Sequence, residues 1–85
     1  MVVVLLPALL ATEAGGRAQF ELDARTVEQA LRQLPIADLV FDEHGALRRL
    51  VNVYVDGTDI RERDGLTTTL DGSETLRLVG AIAGG

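Results

Sequence analysis

Eighty-five residues allow one domain, and a chain this short buries only about 60–65% of the surface its unfolded form exposes, leaving little room for a deep substrate pocket. A net charge of −5, from 13 acidic and eight basic residues, argues against nucleic acid and suits docking onto a basic protein surface. The chain has no cysteine, and all its basic residues are arginines, so thiolate metal sites, cysteine nucleophiles and lysine Schiff bases are excluded.

Val2-Val3-Val4-Leu5-Leu6 is a continuous apolar run, the pattern of a strand covered on both faces. The whole apolar run from Val2 to Ala11 is too short to cross a bilayer, and no positive side chain precedes it as in an export signal. A strand ending at Pro7 is the better reading, with a cytoplasmic location and no membrane partner. Gly15-Gly16 reads as a turn; it lacks the strand–loop–helix order of a phosphate cradle. From Ala18 to Asp23 apolar and polar residues alternate, with Ala18, Phe20 and Leu22 on one face. This predicts a half-exposed strand in a hairpin with the first.

The period then changes. Thr26 and Gln29 have capping-box spacing, and Val27, Ala30, Leu31 and Leu34 fall on one helical stripe. Glu28 and Arg32 form an i, i+4 pair on the opposite face, and Pro35 stops the helix. Residues 36–47 predict a short helical turn and a loop at His44-Gly45. Leu50 to Val55 alternates again, with Val51, Val53 and Val55 together. Asp56-Gly57, Asp64-Gly65 and Asp71-Gly72 are turn signals, and a short edge strand falls between the first two. Glu74 to Val79 is the last strand, with Leu76 and Leu78 inward; residues 80–85 are expected to leave as an extended tail.

The order β-β-α-β-β predicts a two-layer α+β domain over residues 1–85. Its mixed sheet of four to five strands packs on one main helix, and the first and last strands pair in parallel at its centre.

Most catalytic templates fail. His44 is the lone histidine and reads as a solvated loop residue, so no metal cluster assembles around it. Asp42-Glu43 and Asp56-Asp59 read as turn and surface carboxylates. What remains is the end of the chain, Ala83-Gly84-Gly85.

Here a resemblance enters. The tail Ala81-Ile82-Ala83-Gly84-Gly85, the strand Val51-Asn52-Val53-Tyr54-Val55-Asp56-Gly57 and the stretch Asp59-Ile60-Arg61 are similar to the MoaD/ThiS/CysO family of ubiquitin-like sulfur carriers. So are Leu6-Pro7, the Ala14-Gly15-Gly16 loop and the Thr26-initiated helix. The resemblance covers nearly the whole chain; one departure is Gly80, where many relatives carry proline. It implies a β-grasp fold and a protein co-substrate rather than an enzyme, with no cofactor of its own.

In that family a partner adenylyltransferase of the MoeB/ThiF type spends ATP to adenylate the carboxylate corresponding to Gly85. A sulfur donor then displaces AMP and leaves a thiocarboxylate. The acceptor enzyme would be cysteine synthase-like, with a metalloprotease trimming the adduct, or the large subunit of molybdopterin synthase. The CysO-type branch, serving cysteine biosynthesis, is the nearest resemblance, ahead of thiamin synthesis or tRNA thiolation. Two other classes remain open: a protein modifier joined through Gly85, and a plain binding module with an inert tail.

Gly84 and Gly85, with Ala83, Ile82 and Ala81, would thread a partner's channel where a Cβ would clash. From Gly80 onward the tail would reach about 20 Å when extended. Val79, on the outward face of the last strand, is the candidate docking residue.

Overall fold

The computed structural model describes residues 1–80. The first apolar run forms β1 (Val2–Leu5), but its two faces differ. Val2 and Val4 are fully buried, whereas Val3 and Leu5 are half-buried. The expectation of cover on both faces is thereby corrected: the apolar run lies in a sheet whose second face stays partly open. Pro7 ends the strand and then starts α1 (Ala8–Glu13), a helix absent from the sequence reading. β1 and β2 (Gln19–Leu22) pair antiparallel as expected, with Val4 opposite Phe20, but α1 and the Gly15-Gly16 turn lie between them.

The capping residues act as predicted on α2 (Val27–Arg32). Thr26 Oγ1 accepts from the Gln29 amide at 3.1 Å, while Gln29 Oε1 accepts from the Arg25 amide at 2.9 Å. Two amide hydrogens without helical partners are thus satisfied. Val27, Ala30, Leu31 and Leu34 are all buried; Leu34 is reached through a final turn, Leu34 N–H donating to Leu31 O at 3.2 Å. Arg32 pairs with Glu28 at 3.2 Å on the solvent side and also lies over the Phe41 ring. The short turn predicted next is α3 (Ala37–Val40), followed by the loop at His44-Gly45.

β3 (Val51–Val55) and β4 (Thr58–Asp59) form a tight hairpin around Asp56-Gly57. Both turn residues have positive φ, 47° and 89°, the conformation that matches the twist of paired strands. Asp56 also clamps the start of β5 (Thr75–Gly80): its amide donates to Thr75 O, and its carboxylate accepts from the Thr75 amide, both at 2.9 Å.

The sheet order is β2-β1-β5-β3-β4, with β1 and β5 parallel at the centre and the other neighbours antiparallel. Phe20, Val4, Leu76 and Val55 form one cross-strand row on the covered face and join the α2 stripe in a single core. This is the two-layer β-grasp arrangement, with five strands.

Candidate functional site

The site is organised by β5, which lies between β1 and β3 and therefore cannot move without breaking two ladders. Its pairing with β3 runs from Val55 opposite Leu76 to Val51 opposite Gly80. The strand thus lies one residue further along than expected: it begins at Thr75 rather than Glu74, and Gly80, assigned from sequence to the tail, is the last ladder residue. An uncharged glycine without a side chain gives no strand signal, and the partner Val51 is what holds it in register. The proposed reactive segment Ala81, Ile82, Ala83, Gly84 and Gly85 lies outside the described residues.

Val79 is 39% exposed and opposite Asn52, on the sheet face away from the core, where the sequence placed it. The same face carries a row running Gln19, Leu5, Arg77, Tyr54 and Asp59 across all five strands. Asp59 and Arg61 are bound to each other, with Arg61 Nη2 at 2.6 Å from Asp59 Oδ2. That hydrogen bond, helped by the Arg61 amide, holds the Asp59 carboxyl below its ordinary range and raises the Arg61 guanidinium. The pair closes the turn after β4, a structural task; nothing about it marks a general acid or base.

The other carboxylates are similarly engaged. Asp42 Oδ1 accepts from the amides of His44 and Ala46, at 2.8 and 3.0 Å. Those two amides, Ala46 foremost, lower its pKa. Asp71 is lowered by the Ser73 hydroxyl and then the Ser73 amide. His44 lies in an exposed loop 3.9 Å from Glu43, as expected of a solvated residue. Among the described residues no group of three His, Cys, Asp or Glu side chains could hold a metal ion. No helix there is long and apolar enough to cross a membrane.

One feature beside the root of the tail escaped the sequence reading. Gly80 and Val51 form part of the wall of a concavity of about 550 Å³, completed by Pro7, Leu9 and Leu10 of the α1 region and by Leu39 of α3. Leu9-Leu10 behind Pro7 was the available signal. In the sequence these leucines only continue the apolar run from Val2 to Ala11.

Known proteins provide the comparison. The ThiS family model matches residues 4–85. The sulfur carrier protein CysO of Mycobacterium tuberculosis is 29% identical over 91 residues, covering 99% of this chain and 98% of that protein. Its crystal structure superimposes with a TM-score of 0.85 at 26% identity, over 95% of this chain and 99% of that one. CysO from the BexX/CysO complex of Amycolatopsis orientalis gives 0.84 at 29% identity over all of both chains. SAMP1 from Haloferax volcanii gives 0.76 at 28% identity, over 99% and 98%. These relatives are small carrier or modifier proteins rather than enzymes, and all share the β-grasp sheet described above. With a family match spanning almost its whole length and a fold to go with it, this chain belongs to the ThiS family of ubiquitin-like proteins.

Proposed function

We propose that the protein is a sulfur carrier whose working group is the Gly85 carboxylate. The observation that carries this reading is membership of the ThiS family across residues 4–85, which includes Gly84-Gly85. A carboxylate is a poor electrophile, so it must be activated before sulfur can enter. Its oxygen attacks the α-phosphorus of ATP on a partner adenylyltransferase of the MoeB/ThiF type, and pyrophosphate leaves. Hydrosulfide then adds to the acyl carbon, AMP departs, and the thiol proton is lost to give a thiocarboxylate. The ionised sulfur is a nucleophile at neutral pH. A chain without cysteine or lysine has no internal thiol or side-chain amine to intercept its own activated end.

In this reading Gly84, Ala83, Ile82 and Ala81 occupy the partner's channel, and Val79 contacts its mouth. The similarity to CysO proteins favours cysteine biosynthesis as the destination, with an activated serine derivative as acceptor and a metalloprotease releasing the product from the carrier. The large subunit of molybdopterin synthase is the alternative acceptor. The carrier acts in the cytoplasm, where ATP and the biosynthetic enzymes are found.

Intact-mass measurement after incubation with the cognate adenylyltransferase, ATP and sulfide tests this. Wild-type protein should exchange one oxygen for sulfur, and a Gly85 deletion should not. A wild-type mass that stays unchanged defeats the proposal.

The likeness to SAMP1, a small archaeal modifier, favours a second reading in which activated Gly85 is joined to a target lysine. Because this chain has no lysine, it cannot build lysine-linked polymers on itself, and conjugates would carry single units. A Gly85-dependent ladder in denatured lysate would identify this use.

A further inference from the structure

The concavity beside Gly80 is ringed by exposed apolar side chains. Leu9 is 61% exposed and Leu39 38%, and Leu50, 52% exposed, extends the same surface past Arg48 and Arg49. A single exposed leucine is ordinary, but two around one hollow with a third on the hollow adjoining it form a patch. Its rim carries two guanidiniums, Arg48 and Arg49, and two carboxylates, Asp42 and Glu13, in a chain of net charge −5. Arg48 Nη2 donates only to the Asp38 carbonyl, at 3.3 Å, and neither Arg48 nor Arg49 is in an ion pair among the described residues. The Asp42 carboxylate accepts from the His44 and Ala46 amides, whereas the two guanidiniums remain open to a partner's acceptors; Glu13 stands on the far wall.

We propose that this hollow is a docking surface for the activating enzyme, receiving an apolar side chain flanked by carboxylates. The proposal deepens the carrier reading and rests on it. Continuity argues for this occupant: Gly80 is both a wall of the hollow and the last residue of β5, directly preceding the proposed reactive segment. At no more than about 3.6 Å per residue, an enzyme that grips residues 81–85 has its surface within a few residues of Leu9 and Leu39. Charge argues for the chemistry. The acidic body draws a basic enzyme surface, and the two arginines supply a local opposite sign that fixes register, since like charges brought together there would be rejected.

The test titrates carrier labelled at the Met1 amine, which is 69% exposed at the other end of β1, with the cognate adenylyltransferase in the absence of ATP. The paired substitution Arg48→Glu, Arg49→Glu should weaken binding about tenfold or more at low salt, with a smaller loss at high salt. Leu39→Ala should weaken it several-fold at either salt. Arg25→Glu, beyond the opposite end of the sheet, should stay within about twofold of wild type. In the adenylation assay KM should follow these changes while kcat at saturation holds. All four positions are exposed, and unchanged melting temperatures would exclude misfolding.

Wild-type affinity in the double variant, an equal loss in Arg25→Glu, or no binding by wild type overturns the docking surface. So does a sedimenting dimer that the double variant dissolves without altering affinity for the enzyme. Methyl signals of Leu9 and Leu39 that shift on deletion of residues 81–85, with affinity insensitive to the arginines, would assign the hollow to the chain's own end and also overturn it. Binding with the expected pattern but no sulfur incorporation would instead defeat the carrier reading and leave the surface standing.

Discussion

Replacing Leu31 with alanine measures how much of the domain depends on the α2 stripe. Leu31 has no exposed surface and lies in the core shared by the helix and the strands. The substitution removes three carbons, worth about 2.4 kcal/mol at roughly 0.8 kcal/mol per buried methylene. Because paired β-strands form the other side of that core, the site collapses poorly, and the cavity term should bring the cost to about 3–4 kcal/mol. For 85 residues a total stability of about 4–13 kcal/mol is typical, so the variant should lose a large share of it. At about 4–8 °C per kcal/mol, the melting temperature should fall by roughly 12–30 °C. Urea denaturation followed by far-ultraviolet circular dichroism gives the free energy, and an unchanged slope confirms that the unfolded state is comparable. Leu9→Ala is the control: the same atoms leave from a side chain 61% exposed, and the change should stay within about 0.5 kcal/mol. A Leu31→Ala loss below that figure, or equal losses for the two leucines, would refute the assignment of the stripe to the core.

Thr26→Ala removes the hydroxyl that accepts from the Gln29 amide and should cost about 0.5–2 kcal/mol in the same denaturation assay, whereas Thr26→Ser should recover most of it. Deleting Gly85 should abolish sulfur incorporation yet leave the melting temperature within a few degrees, because the residues of the buried core end at Leu78. Val79→Asp should raise KM for the carrier in the adenylation assay without lowering stability, because the side chain is part-exposed on the sheet's open face. Asp42, Asp59 and Asp71 all have folded-state pKa values below their ordinary range, so the unfolded chain binds protons more readily. Their contribution is therefore complete above about pH 5 and is lost as pH falls through the depressed values. Melting temperature should decline on acidification below about pH 4, less steeply in Asp42→Asn.

How far the sequence could be read depended on whether a residue pattern had one physical outcome. Thr26, Gln29 and the Val27–Leu34 stripe had only one, since a cap, a 3.6-residue period and a following proline all agree on a helix. Val51, Val53 and Val55 before Asp56-Gly57 were equally plain, and so was the parallel pairing of the first and last strands, because the helix supplies the required crossover. Ala8–Glu13 was not legible. Six residues give too few turns for periodicity, Pro7 offers no side-chain cap, and Leu9 breaks the expected pattern by facing solvent. Proline just before the segment and glycines just after it were the signal, but the same residues also suit a strand end and a turn.

The site divides in the same way. The family resemblance, rather than the glycine pair by itself, pointed to Gly84-Gly85, which lie outside the described residues; the face of Val79 followed from the sequence because alternation along a strand is local. The absence of cysteine, of lysine and of a second histidine removed most other chemistry before any fold was considered. Only the folded chain could bring Leu9, Leu39 and Arg48 to one hollow beside Gly80, since these residues are far apart in sequence and belong to separate elements. Only it could decide that Gly80 ends a strand, because a glycine has no side chain to report its partner, and Val51 supplies that partner from across the sheet.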